Sequence, residues 1–134
     1  MKKVPIPAKM QKFYGIGTML HPDQEMVVSL LKEIPEGRVA TIDSLCDRLA
    51  RDHGTDVTCP MRTTNFIKKI TALYSDGHES VPFWRVIRKN HLLINSPLIT
   101  LCAEKLENEG FHLTQNSKGD VKVQQLGGRL FSFL

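Results

Sequence analysis

Ser80-Val81-Pro82-Phe83-Trp84-Arg85-Val86-Ile87-Arg88 is the stretch on which the reading of this chain turns. Pro82 fixes its own φ and pushes Val81 towards an extended conformation, so the two rings leave a stiff corner in a defined direction. Phe83 and Trp84 are two of only nine aromatics (6 Phe, 2 Tyr, 1 Trp). Apolar ring planes beside guanidinium groups suit a flat, anionic polymer, because bases stack on rings and arginine pairs with phosphate. The same rings equally suit a turn buried in a core, which aromatics dominate.

The flanks supply an order of elements. Upstream, His21-Pro22-Asp23 opens a helix whose apolar stripe is Met26, Val27, Leu30 and Leu31, and Ile34-Pro35-Glu36-Gly37 ends it in a turn. Thr41 is the expected N-cap of a second helix, from 42 to about 52, with Ile42, Leu45, Cys46 and Leu49 buried and Gly54 as its stop. Thr58 or Cys59 caps a third helix, from 60 to about 74. Its expected core face is Phe66, Ile67, Ile70 and Leu73, with Arg62, Thr63, Asn65, Lys68 and Lys69 on other faces. Two helices joined by a polar turn, the second carrying basic residues, fit a helix-turn-helix.

Downstream, residues 76–80 read as a loop. Val86-Ile87-Arg88 and His91-Leu92-Leu93-Ile94 read as a hairpin or wing, with Lys89-Asn90 near its turn. Ser96-Pro97 starts a fourth helix by cap and first-position chemistry, with Leu98, Leu101, Cys102 and Leu106 facing the core and Gly110 at its end. Phe111-His112-Leu113 and Val121-Lys122-Val123 form a further hairpin. The fold class expected is mainly α: a winged helix-turn-helix-like domain with short β-hairpins.

Pro82-Phe83-Trp84-Arg85-Val86 resembles the active-site signature Pro-Cys-His-Arg-Val of the O6-alkylguanine-DNA alkyltransferases. Phenylalanine stands at the cysteine position and tryptophan at the histidine position. The pattern looks like the alkyltransferase-like proteins, the non-enzymatic branch of that family. The segment from Leu31 to Val39 is similar to the family's helix, Ile-Pro-x-Gly turn and short strand, and the resemblance runs from about residue 21 to 110.

The resemblance implies minor-groove binding through the helix-turn-helix, with the damaged guanine turned out of the stack. It puts the intercalating arginine at Arg62, with Thr63, Asn65 and Lys69 near phosphates and Arg88 and Lys89 on the wing. Phe83 and Trp84 become an apolar wall of the lesion pocket, and Arg85 lines that pocket or braces its loop. A guanidinium in the gap would offset part of the few kcal/mol that flipping costs. Alkyl transfer needs a thiolate and a base to generate it, which Phe83 and Trp84 cannot supply, so no enzyme activity is expected. Three features depart from the family pattern: Ile42 at the base-turning tyrosine, Asn65-Phe66 at the glycine pair, and longer connections over 54–58 and 74–80.

Composition agrees with an ordinary globular chain. The 134 residues are 41% hydrophobic and 24% charged, enough for one domain with a modest core. No apolar run approaches the roughly 20 residues of a membrane span, and an intracellular protein is expected, cytoplasmic and nucleoid-associated, or nuclear in a eukaryote. Cys46, Cys59 and Cys102 are an odd number without CxxC spacing, which argues against a disulfide framework or zinc site. Cys46 and Cys102 sit in apolar helical patterns. Cys59 lies at a helix start with no histidine in a family-like position beside it.

The net charge of +4 is unevenly spread. Residues 1–20 contain Lys2, Lys3, Lys9 and Lys12 and no acid. They are expected to form an irregular basic arm with a short helix near 9–14, preceding the domain at 21–134. Removing those four from the 18 basic residues leaves 14 against 14 acidic. From Arg62 to His91 six basic residues face Asp76 and Glu79, a candidate footprint for nucleic acid or a solvated face.

The expected function is recognition of O6-alkylguanine in double-stranded DNA without alkyl transfer, flagging the lesion for nucleotide excision repair proteins. A monomer is expected, with no metal, cofactor or membrane partner. The alternatives are a winged-helix DNA binder without lesion recognition and a protein-interaction module built on Phe83-Trp84.

Overall fold

The computed structural model describes residues 1–77 and 80–133. The first twenty residues are not the irregular arm that their composition suggests. Strand β1 (Lys2–Pro5) pairs antiparallel with β2 (Thr18–His21), in register from Lys2↔His21 to Pro5↔Thr18. Between them a 3-10 turn at Ala8–Met10 runs into the one-turn helix α1 (Gln11–Tyr14). β1 is an edge strand, where Pro5 and two lysines are tolerated. β2 also crosses the boundary between arm and domain that the sequence suggested at 20/21.

Helix α2 (Gln24–Leu31) starts where a carboxylate caps it: Asp23 accepts from the Met26 N–H at 3.2 Å. Val27, Leu30 and Leu31 are buried. Gly37 turns the chain with φ +81°, a conformation that suits glycine. After β3 (Ala40–Thr41), helix α3 (Ile42–His53) is capped at both ends as expected. Thr41 Oγ1 accepts from Ser44 N at 3.2 Å, and Gly54 closes the helix in a left-handed conformation. Strand β4 (Val57–Thr58) pairs parallel with β2, giving a sheet of order β1-β2-β4.

Helix α4 (Pro60–Tyr74) follows at once, with proline in its first turn and Cys59 as N-cap. Its buried face is Thr63, Ile67, Ile70 and Thr71, with Phe66 and Tyr74 partly buried against the core. Leu73, expected inside, is 51% exposed. The stripe set by residues 63, 67, 70 and 71 passes through 74 rather than 73, so Tyr74 takes the inner place.

Of the loop expected at 76–80, His78 and Glu79 lie outside the described residues. A 3-10 turn at Phe83–Arg85 leads into β5 (Val86–Ile87), which pairs parallel with β3. The expected hairpin after it is a tight turn with a single antiparallel bridge, Ile87↔Leu93, and Lys89-Asn90 at the tip. Helix α5 (Ile99–Asn108) begins later than Ser96-Pro97 suggested. Ser96 instead closes a preceding turn, its Oγ accepting from Leu98 N at 3.3 Å and its carbonyl from Ile99 N at 3.1 Å. Strands β6 (His112–Gln115) and β7 (Val121–Gln124) form the last expected hairpin.

Two apolar clusters share β5. Phe83 and Val86 join α2, α3 and α4 in the larger, while Ile87 joins Val39, Leu93, Leu106, Phe111 and Val123 in the second. Burial of each such side chain contributes about 1.5–3 kcal/mol. The chain's end returns to the larger cluster. Val39 N–H donates to Arg129 O at 3.0 Å, Phe131 N–H to Val39 O at 2.7 Å, and Phe133 is 3% exposed. Among the described residues no helix is long and apolar enough to cross a membrane.

Candidate nucleic-acid interface

Helix α4 contains no acidic residue. Its outer stripe is Met61, Arg62, Asn65, Lys68, Lys69 and Ala72, all exposed and spaced to share one face. Arg62, Lys68 and Lys69 make no hydrogen bond or ion pair among the described residues, and neither do the exposed Arg88 and Lys89 side chains. A cleft of about 390 Å³ brings Lys68 together with Arg88 and Lys89, between Ile42 and Asp43 of α3, Thr64 of α4, Ile94 and Asn95, while Arg62 and Lys69 lie outside it. Lys68 belongs to this set although only its helical spacing pointed there.

Thr63 was expected at the DNA surface and is fully buried. Its Oγ1 donates to Cys59 O at 2.8 Å, which satisfies the hydroxyl inside the helix. Thr58 Oγ1 donates to Cys46 O at 2.8 Å, which ties the residue before the Cys59 cap to α3. Burial pushes the Cys46 thiol up to about 12, opposed by the nearby Thr63 hydroxyl, and the nearby Asp43, Asp47 and Cys59 add to the rise. Burial likewise raises Cys102 to about 11, with Lys105 opposing. These thiols stay protonated at neutral pH and are poor nucleophiles. Among the described residues no three His, Cys, Asp or Glu side chains cluster as a metal site would require.

Phe83 and Trp84 border a cleft of about 210 Å³, shared with Tyr74, Val81 and Lys105. Phe83 is 2% exposed and packs edge-on to Trp84, with ring centroids 5.0 Å apart. A second space that both rings border, with Ile67, Thr71 and Ile94, is about 10 Å³, roughly one water. The larger of the two is the place where an alkylated base was expected to rest against the rings.

Trp84 and Arg85 are also tied to Glu109, a carboxylate that the sequence did not single out. Trp84 Nε1–H donates to Glu109 Oε2 at 2.5 Å, and Arg85 Nε–H reaches both carboxylate oxygens at 3.0 and 3.1 Å. Gly37 N–H donates to Oε1 at 2.7 Å, and Arg85 Nη1 to Ile34 O at 2.9 Å. Arg129 closes the ring by donating to the carbonyls of Gly37 at 2.9 Å, Glu109 at 2.6 Å and Gly110 at 3.0 Å. Of the two roles implied for Arg85, bracing its loop is the one that the geometry gives.

No protein-family model and no curated protein sequence matches this chain. Its backbone is similar to two solved structures. One is S. pombe Atl1 in complex with damaged DNA containing O6-carboxymethylguanine, at 23% identity and a TM-score of 0.60. The other is S. pombe ATL in complex with DNA, at 25% identity and a TM-score of 0.57. Each match covers 81% of this chain and 94% of the other. The order of helix, Ile-Pro-Glu-Gly turn, two helices and Pro-Phe-Trp-Arg-Val thus belongs to a chain with the alkyltransferase-like fold.

Proposed function

We propose that this protein binds duplex DNA carrying O6-alkylated guanine, transfers no alkyl group, and marks the lesion for nucleotide excision repair. The observation that carries the reading is the acid-free, unpaired basic stripe of α4, on a fold similar to that of a protein bound to damaged DNA. In this reading the domain is a mainly α, winged helix-turn-helix: α3 and α4 are the helix pair, and the turn bearing Arg88 and Lys89 is the wing. Arg62, Asn65, Lys68 and Lys69 meet the groove and its phosphates. Arg62, in the first turn of α4, fills the gap left by an extruded base. The protein acts as a monomer, in the nucleoid or the nucleus.

An extruded guanine would enter the cleft of about 210 Å³ that Phe83 and Trp84 border, or the one of about 390 Å³ between Ile42, Thr64 and Ile94. The latter volume is within the range of small-molecule sites. Alkyl transfer fails for lack of a thiolate: phenylalanine accepts no alkyl group, and burial keeps the Cys46 and Cys102 thiols protonated.

The test is binding to two duplexes identical except for one O6-methylguanine, at near-physiological salt, with Arg62→Ala alongside. Tighter binding to the lesion that Arg62→Ala abolishes supports the sensor. Ile42 at the base-turning position and Asn65-Phe66 at the glycine pair favour a second reading, a winged-helix binder without lesion recognition, which equal affinity for both duplexes would establish in its place. Stoichiometric label on the protein after incubation with radiolabelled methylated DNA would overturn the absence of transfer.

A further inference from the structure

Residues 1–21 form a surface that α4 leaves unused. Lys2, Lys3, Lys9 and Lys12 are exposed, and the first twenty residues contain no acid. Phe13, Tyr14 and Ile16, on the connection between β1 and β2, are 71%, 43% and 88% exposed, and Lys12 Nζ lies 4.9 Å from the Phe13 ring centroid. Exposed aromatics interleaved with lysines make a chemical surface suited to nucleic acid.

The segment is held firmly against α4. Lys2 lies opposite His21 in the β1–β2 register. The neighbouring Leu20 carbonyl accepts from Cys59 N at 2.9 Å, and Cys59 caps the helix that carries Arg62 in its first turn. Beneath them Ile6, Met19 and Cys59 pack into a small core of their own. Lys2, His21 and Arg62 are therefore neighbours on one continuous surface. His21 registers this crowding, since burial first, then Arg62, then Lys2 hold its imidazole below the usual histidine range.

We propose that the β1–β2 unit is a second grip on duplex DNA, with Lys2, Lys3, Lys9 and Lys12 meeting phosphates beyond those reached from α4. The proposal rests on the duplex-binding reading above. An anionic membrane surface offers similar charge chemistry to a basic segment with exposed rings. Duplex DNA is favoured because the lysines are in fixed relation to the Arg62 end of α4, and a duplex presents phosphates continuously past a groove-bound helix.

Two full-length variants, Lys2→Gln/Lys3→Gln and Lys9→Gln/Lys12→Gln, test it, with Arg62→Ala as the control. Affinity for an undamaged duplex of about 20 base pairs, two helical turns, is measured against salt. Each variant is expected to lower the slope of log K against log salt by about 1.8, at about 0.9 per phosphate contact. Thermal unfolding should not move, because these side chains make no hydrogen bond among the described residues. Unchanged slopes for both variants, while Arg62→Ala weakens binding, would overturn the second grip and leave the α4 reading standing. No binding of wild type to any duplex would remove both. Loss of binding to phosphatidylserine vesicles with DNA affinity intact would assign the segment to a membrane surface and overturn the proposal.

Discussion

The molecule treats its cations in two opposite ways. Around Glu109, Arg85 and Arg129 are spent on internal acceptors, and the Arg85 and Glu109 side chains are only 15% and 6% exposed. On α4 and the turn after β5, Arg62, Lys68, Lys69, Arg88 and Lys89 are exposed and unpaired among the described residues. A network closed inside the fold contributes to shape, whereas an open row of like charge costs self-repulsion and is useful only towards an outside anion. Arg85 lies three residues from Arg88 and belongs to the other set, so proximity in sequence is a poor guide to role.

The largest expected effect breaks the closed set. Glu109→Ala strands the Arg85 guanidinium, the Trp84 indole and the Gly37 amide together, and should cost about 3–5 kcal/mol of stability in urea unfolding. A loss below about 1 kcal/mol would mean that water replaces the carboxylate at little cost. Next comes alkaline pH, which probes the core behind both sets. Burial raises the Cys46 and Cys102 thiols from 9.0 to about 12 and about 11. Their contribution is complete below pH 9, the unfolded value, and is lost as pH rises towards those folded values. Unfolding midpoints should fall across that window, and less steeply in Cys46→Ala.

The open set should show the reverse profile. Arg62→Ala is expected to weaken duplex binding about tenfold and to reduce the salt slope by about 1, with stability within about 0.5 kcal/mol of wild type. A drop in stability of several times that would put Arg62 among the structural cations. The smallest effect is Leu73→Ser. At 51% exposed, Leu73 should change neither DNA affinity nor stability beyond about 0.5 kcal/mol. A larger loss would restore the inward role that its apolar character suggested.

Helices α3 and α4 were legible because their signals are local: caps at Thr41 and Cys59-Pro60, and apolar stripes at helical period. The arm was misread because β1 and β2 gain their third partner from β4, at Val57 and Thr58, a pairing that a pass along the sequence does not reveal. Thr63 looked like a surface residue because threonine is polar, yet one bond to the carbonyl four residues back removes its need for water. Glu109 lies 72 residues from Gly37 and 25 from Trp84 in sequence, so no motif announces the hub. In the Phe83-Trp84 corner the stiffness was readable, but which way the rings faced depended on α2, α3 and the returning Phe133.

Trp84 is the chain's one tryptophan, and it sits with its indole N–H on Glu109 and with Lys105 and Arg85 4.7 and 5.2 Å from its ring. The molecule therefore carries a single tryptophan fluorophore, wired to its structural half. Its emission should shift to the red as the hub opens in denaturant, giving an optical readout of folding. It should stay still while DNA docks on α4. An emission change on adding lesion-containing duplex would mean that the base enters the cleft beside the rings, and would report it in real time without a label.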